Sequence, residues 1–563
     1  RGQQTIASSK TFIGVLTEVQ GWNRELSWLR TEQKCNLCHG KRLRAEIRAI
    51  YISDKSITDC SSMTIGEALE FWTNLELTSY QQQIAQQAQI ELTKRLRFLS
   101  GVGLSYLTLD RSARTLSGGE AQRIRLASQL GSGLSRSIYV LDEPTIGLHH
   151  CDTGALLKTL KELVDLNNTV VVVEHDEQMI RAADQIIDMG PAAGIHGGKI
   201  IDHAAPQNLS KGSTFEYLNN IKFLPPIRTR KRSKSWITIK KCTTNNLKNV
   251  EVSFPRHAFT AVTGPSGAGK STLVMNEFLP RITEKISKKH KACPKRVEVV
   301  NQRPIGTSPR STPASYCDIL GPIRDLFAQT KEARARGWTK KRFSYNGEQG
   351  RCPHCEGRGY ILIEMHFLSD IWLPCSHCEG TRYSSETREV LWKGMSISDV
   401  LSLTVDEACA HFVNHKSLYK KLEALSRIGL GYLQLSQPAN QLSGGEAQRM
   451  KLAKYLSKGE RAHETCFILD EPSTGLHFSD LALLLKTMHE LVDAGHMLVV
   501  IEHNLELISH ADHIIDVGPV GGAEGGHILH QAHPTKIIAT NSSDKKSQQS
   551  KTVQALKEHM KVE

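Results

Sequence analysis

The residues best equipped for chemistry stand at 264–272. Gly264-Pro265-Ser266-Gly267-Ala268-Gly269-Lys270-Ser271-Thr272 fits the phosphate-loop pattern G-x-x-x-x-G-K-[ST] without a mismatch. In such a loop the glycines let backbone N–H groups surround phosphate oxygens, and the start of the following helix adds a favourable field. Lys270 is expected to reach the β- and γ-phosphates of ATP, and the Ser271 hydroxyl to ligate Mg²⁺. The apolar run 466–469 ends in Asp470-Glu471. A carboxylate at a buried strand end is the Walker B arrangement. Asp470 is expected to hold Mg²⁺ directly or through water, and Glu471 to polarise the attacking water. His503 follows a second apolar run, 498–501, and Gln302 follows 297–300, between the phosphate loop and Asp470. His503 is expected at the γ-phosphate, and Gln302 beside Mg²⁺ and the attacking water. Lys270, Asp470, Glu471 and His503 are the expected catalytic set.

A second cluster is Cys352-x2-Cys355-x19-Cys375-x2-Cys378. Four soft thiolates in two knuckles suit tetrahedral Zn²⁺. Gly357 and Gly380 follow the knuckles, as tight turns require, and a redox role would need one active pair. A third pair, Cys35/Cys38, has no partner pair, because the matching positions are Phe12 and Val15. A second complete zinc site is therefore not expected. Just before the module, Arg334, Arg336, Lys340, Lys341 and Arg342 interleave with Trp338 and Phe343. Such a run is either a solvated charged face or a phosphate-backbone surface. The adjacent zinc module favours nucleic acid.

These groups need strands and helices beneath them. Phe259 to Thr263 reads as a strand and Ser271 to Phe278 as a helix, the context a phosphate loop requires. Leu-Ser-Gly-Gly-Glu-Ala-Gln-Arg occurs twice, at 116–123 and 442–449, each copy opening a helix by its apolar spacing. A Ser-Gly-Gly helix start offers N–H groups and a hydroxyl to a γ-phosphate, beyond simple capping. The 19 residues between the two cysteine pairs suit a β-hairpin.

The signature is one part of a duplication. Asp142-Glu143-Pro144 recurs as Asp470-Glu471-Pro472, Gly147-Leu148-His149 as Gly475-Leu476-His477, and Glu174-His175 as Glu502-His503. The period is too long for a solenoid, so the chain holds two related domains. The first has no phosphate loop, whose place would fall before residue 1, and it reads as N-terminally truncated. Expected boundaries are a first half at 1–224, a basic linker at 225–236, a second half at 237–540 carrying the zinc module at 352–378, and a flexible tail at 541–563. The fold class expected is α/β: two tandem ATPase halves, each a sheet with a helical signature region, with the four-cysteine module inserted.

Composition sets outer bounds. The 563 residues are 39% hydrophobic and 23% charged, ordinary for a globular chain and against disorder. No apolar run approaches the roughly 18 residues of a membrane helix, and the N-terminus carries no apolar signal region. Paired thiols without a signal peptide point to a reducing, cytoplasmic compartment. The net charge of +13 fits a polyanionic partner or a solvated basic surface equally.

The motif order resembles the ABC ATPase superfamily, in which the phosphate loop of one domain faces the signature helix of the other. The resemblance implies an ATP site formed by Lys270 and its loop and closed by Ser117, Gly118 and Gly119. It implies a second, incomplete site from Asp142, Glu143 and His175 with Ser443, Gly444 and Gly445. One complete composite site is expected. The zinc module between phosphate loop and signature, the run 302–311, and Gly-Leu-His after each Walker B narrow the resemblance to the UvrA family, the A subunits of the bacterial nucleotide-excision-repair excinuclease. It covers about residues 11 to 540. That family implies a homodimeric DNA-damage recognition ATPase with ATP, Mg²⁺ and Zn²⁺, binding distorted double-stranded DNA and loading the excinuclease B subunit. The family's first phosphate loop, B-subunit-binding domain and insertion domain have no counterpart in the sequence. Two other readings compete. A transporter or translation ABC ATPase would lack the four cysteines, and a non-hydrolysing DNA scaffold would have lost Lys270 or Glu471.

Overall fold

A computed structural model describes residues 35–560 except 117, 131–134, 192–193, 195–196, 220–226, 228–229, 231–232, 289–292, 302, 307, 364, 366–370, 458–463 and 541–544. In the first half, helix α1 (Ser79–Gly101) is capped by Thr78, whose hydroxyl accepts from the Gln81 N–H. The signature helix α2 (Gly118–Leu130), strand β1 (Ile138–Asp142), α3 (His150–Asp165), β2 (Thr169–Val173), β3 (Ile186–Gly190), β4 (Lys199–Ala204) and α4 (Ser213–Leu218) follow. β1 and β2 pair in parallel, while β3 and β4 form a separate antiparallel ribbon.

The second half opens on the antiparallel pair β5 (Trp236–Cys242) and β6 (Val250–Pro255), then β7 (Phe259–Thr263). After the phosphate loop a π turn, Thr272–Phe278, runs into α5 (Leu279–Ser287), and β8 (Arg296–Val300) follows. A helical region intervenes. It contains the hairpin β9 (Tyr360–Ile363) and β10 (Ile371–Pro374) between the cysteine pairs, as the spacing requires, and it ends in the second signature helix α6 (Gly444–Leu456). Then come β11 (Thr465–Asp470), α7 (Phe478–Asp493), β12 (Met497–Ile501), β13 (His513–Gly518), β14 (His527–Ala532) and α8 (Lys551–His559).

Six of these strands form one sheet in the order β8-β11-β12-β7-β13-β14, parallel except for the β14 edge. Every residue of β7 and β12 is buried, because both faces of the sheet are covered and the strands read as continuous apolar runs. The phosphate loop therefore leaves the carboxyl end of a central strand. Asp470 ends β11 and His503 follows β12 along the same edge, where ligands of open α/β sheets gather.

Burial separates the two halves. Cys466, Ile468, Val499, Ile501, Ile515 and Val517 are buried against β5, β6 and the segment after the phosphate loop. Their first-half counterparts Ile138, Val140, Val171, Val173, Ile187 and Met189 are 46–72% exposed. Among the described residues no strand stands between β2 and β3, where the second half places β7.

Two boundaries differ from expectation. Trp236 opens β5 and so belongs to the second half rather than the linker. Of the linker, Arg230 is pinned: its guanidinium donates to Asp493 Oδ1 at 2.9 Å and to Asp512, and reaches His489 Nδ1 at 3.0 Å. The tail is not flexible throughout, because α8 packs against α3 of the first half. Its Ser/Lys/Gln-rich composition hides an apolar stripe, and Thr552, Val553, Ala555 and Leu556 are buried. Leu556→Ala should lower unfolding stability by about 2–5 kcal/mol, as for other fully buried leucines. A denaturant titration reads the change, and an unaltered midpoint would mean that α8 adds nothing to the fold.

Candidate ATP site at the seam and the four-cysteine module

The phosphate loop needs its glycines. Gly264 has φ +133°, and a Cβ there would stand 1.8 Å from the Val517 carbonyl oxygen. Gly267 has φ +74°, and a Cβ there would run into the ring of Tyr106 from the first half. Lys270 is buried and donates from Nζ to the carbonyls of Gly264 at 2.9 Å and Pro265 at 2.8 Å. Burial pushes its ammonium down to about 8, against the pull of Glu471, Asp152 and Asp470. Ala268 is buried, Ser271 is exposed at the head of the π turn, and Thr272 Oγ1 accepts from Asn245 at 3.3 Å.

The carboxylates sit where the backbone bends sharply. Glu471 has φ +48° and Glu143 φ +45°, left-handed conformations that non-glycine residues rarely adopt. Burial raises both Asp470, to about 6, and Glu471, which makes each a stronger base. His503 places Nε2 3.5 Å from Glu471 Oε1, and burial holds the ring neutral, well below the usual histidine range. Glu502, not singled out from sequence, straps two loops together: it accepts from the N–H groups of His503 at 2.7 Å, Asn504 at 3.1 Å and Ser473 at 3.2 Å. Glu174 does the same in the first half for Thr145, His175 and Asp176. The repeated Glu-His pair was the available signal.

The halves meet at this edge. Ser266 Oγ donates to the Gly147 carbonyl at 2.9 Å, and Gly147 itself lies against the Glu471 carboxylate. Gly119, at the start of α2, lies against the carbonyl of Ile146 beside it, and the Tyr106 hydroxyl donates to Glu120 of α2 at 2.6 Å. Gly118 opens α2, while Ser117 and Gln302 lie outside the described residues. The opposite edge mirrors the first. Glu143 faces Gly475, His175 Nε2 stands 3.8 Å from Glu143 Oε1, and Gly445 lies against the Thr474 carbonyl. Ser443 caps α6, which opens with Gly444, in a reciprocal pair with Glu446. Burial, then Asp142, raises Glu143 to about 6. A cavity of about 430 Å³ lies between the two edges, lined among others by Glu143, His175, Glu471, Gly475 and His503. The signature glutamines reach back to their own strands: Gln448 donates to the Asp470 carbonyl at 2.9 Å and Gln122 to that of Asp142 at 2.8 Å. A cation against the loop carbonyls, with a base and a neutral imidazole opposite, can bind a polyphosphate and activate water.

The sulfur atoms of Cys352, Cys355, Cys375 and Cys378 all lie within 4.8 Å of one another, and Cys355 and Cys378 are 3.6 Å apart. Tetrahedral Zn–S bonds of about 2.3 Å set sulfurs about 3.8 Å apart, so the group fits zinc. The basic run is partly neutralised. Arg336 pairs with Glu332 at 2.7 Å and Glu389 at 2.9 Å, Arg342 pairs with Glu386, and Lys340 stands 3.8 Å from Asp325. Arg336 and Arg342 also flank the Trp338 ring, 4.9 and 4.3 Å from its centroid. Arg334 and Lys341 are exposed and carry no ion pair among the described residues.

No family model matches the chain. It is 45% identical to the UvrABC system protein A of Methanothermobacter thermautotrophicus over 566 residues, covering 96% of this chain and 59% of that protein. It is 48% identical to that of Bacillus subtilis over 529 residues, covering 91% and 55% respectively. Among solved structures it is similar to UvrA2 from Deinococcus radiodurans, with a TM-score of 0.84 and 38% identity over 93% of this chain and 66% of that one. The chain thus spans less than two thirds of the length of these relatives. The two duplicated α/β halves, the inserted four-cysteine group and this identity make the chain a homologue of the UvrABC system protein A proteins over that span.

Proposed function

We propose that this chain is an ATP-hydrolysing, DNA-binding subunit of UvrABC-type excision repair, working through a composite ATP site at the seam. The observation that carries the reading is the meeting across the seam of the Lys270 loop, the Asp470-Glu471-His503 edge and Gly147 of the first half. Residues 264–272 bind the β- and γ-phosphates, with Lys270 supplying the buried positive charge. Ser117, Gly118 and Gly119 close over the γ-phosphate from the first half. Ser271, Gln302 and Asp470 would hold Mg²⁺, which when bound offsets charge on the phosphates. Glu471 orients the attacking water and takes up its proton, and its burial strengthens it as a base. His503, neutral, offers a hydrogen bond toward the γ-phosphate. Asp142, Glu143 and His175 with Ser443, Gly444 and Gly445 make the second edge, for which the sequence supplies no phosphate loop.

Zinc on the four cysteines holds the β9–β10 hairpin and the basic surface in place. That surface binds distorted double-stranded DNA through phosphates, because lesions share no base-edge code and must be read by backbone position and deformability. A homodimer, loading of an excinuclease B subunit and a cytoplasmic setting belong to the same reading, which rests on the family.

Three outcomes are expected. Lys270→Ala should abolish turnover, and Glu471→Gln should bind ATP yet hydrolyse it about 10²-fold or more slowly, the scale of a lost general base. Steady-state ATPase and nucleotide-binding assays decide this, and unchanged turnover in either variant rejects the assignment. Purified protein should hold about one Zn²⁺ per four-cysteine site, and Cys375→Ser should lose it. Elemental analysis finding no zinc in the unaltered chain would end the metal reading. Finally, each phosphate contact contributes roughly −0.9 to the log–log salt slope of duplex binding. Since Arg334 and Lys341 carry no ion pair among the described residues, replacing both by Ala should flatten that slope by about two units and weaken intact and damaged duplex alike. Identical slopes would move the DNA surface elsewhere.

A further inference from the structure

The histidine of the Gly-Leu-His that follows each Walker B strand has no role in the site so far. In the structure the first half's His149 is fully buried, inserted between two elements of the second half. Its ring meets that of His503 edge to face, with centroids 6.0 Å apart. Its Nε2 stands 3.1 Å from Thr552 Oγ1 at the head of α8. That head is itself fixed: Ser550 caps the helix by accepting from the Val553 N–H at 2.9 Å, and its hydroxyl donates to the buried Asp516 at 2.5 Å. One chain of contacts therefore runs from the C-terminal helix, through a histidine of the other half, to the Glu471–His503 pair.

The same construction occurs at the opposite edge with different residues. His477 of the second half meets His175 edge to face at 6.3 Å, and its Nε2 stands 3.4 Å from Ser213 Oγ at the head of α4. Beside Ser213, Thr214 donates to Asp188 at 2.8 Å, where the other edge has Ser550 and Asp516. Each half thus grips the other half's histidine between the histidine of its own Glu-His pair and the head of its own helix, α8 or α4.

The need for such a grip lies in His503. Among the described residues its Nδ1 is buried without a hydrogen-bond partner, and its Nε2 has the 3.5 Å approach to Glu471. The ring torsion of histidine has a broad minimum, so hydrogen bonding alone does not fix this ring. The edge-to-face contact with His149 supplies the missing restraint. Both rings are kept neutral by burial, which leaves them free to pack without repulsion.

We propose that His149 is a positioning residue for ATP hydrolysis: held by Thr552 of the C-terminal helix, it sets the His503 ring against Glu471 across the seam. The inference rests on the ATP reading above. The test is steady-state ATPase of the full chain as a function of ATP concentration, with Glu471→Gln run alongside. His149→Leu, which keeps most of the volume, should lower kcat about 10- to 100-fold, the effect of misplacing a catalytic group by about 1 Å, with KM within about threefold. Thr552→Val should act in the same direction and more weakly, and Thr552→Ser should restore kcat. The His149→Leu/Thr552→Val double variant should be no slower than His149→Leu alone, because both remove one contact chain. Wild-type kcat in the folded His149→Leu protein, additive losses in the double variant, or no rescue by Thr552→Ser would each overturn the proposal. If His149→Leu does not fold, the Thr552→Val and Thr552→Ser pair decides it. Normal turnover by Glu471→Gln would instead overturn the ATP reading itself.

Discussion

A lysine ammonium enclosed by protein is costly unless opposite charge and hydrogen-bond acceptors surround it, and the seam is organised around that requirement. Lys270 has two loop carbonyls within hydrogen-bond distance, and the charges that favour its protonated form come from Glu471 and Asp470 of its own half and Asp152 of the other. The site is therefore a property of two halves in contact. The left-handed turn at Glu471, the Gly147 that admits the carboxylate and the Ser266 hydroxyl on the Gly147 carbonyl all serve this one close approach.

How much of this was legible in the sequence depends on whether a residue's role is local. The phosphate loop, the strand ending in Asp470 and the Ser-Gly-Gly helix starts are written in adjacent residues, because glycine conformations, buried strand ends and caps leave short-range signatures. The cysteine pairs are of the same kind, since knuckle spacing is fixed by metal geometry. Tyr106, Glu502, His149 and Asp152 escaped because nothing near them in the chain announces a partner on another loop or in the other half. The duplication pointed to two of them, repeating Glu-His and Gly-Leu-His at a constant offset, yet repetition marks a position without giving its contact. The tail misled for a physical reason: two buried aliphatic residues one turn apart, Val553 and Leu556, suffice to dock a helix in an otherwise polar segment.

The basic run beside the four-cysteine module shows how charge counting and geometry differ. A net charge of +13 and five cations in nine residues suggest a strong positive field. Three of those five face carboxylates, and two flank Trp338, so that the run partly builds its own scaffold. A guanidinium committed to both a carboxylate and an indole is rigid. Arg334 and Lys341 are then the cations of the run left exposed and without an ion pair among the described residues, so the charge available to a polyanion is smaller than the count suggests.

The strands of the first half differ from those of the second in what covers them among the described residues. Ile138, Val140, Val171, Val173, Ile187 and Met189 present aliphatic groups to water on two short ribbons, and among the described residues the facing edges of β2 and β3 have no strand between them. Open edges bearing β-branched residues are templates for further strands, and natural sheets blunt them with charge, proline or cover. Here the alternation places apolar groups outward instead. The second-half counterparts of these residues lie buried under β5, β6 and the segment after the phosphate loop, so the two first-half ribbons have the apolar face that such a covering layer would fill.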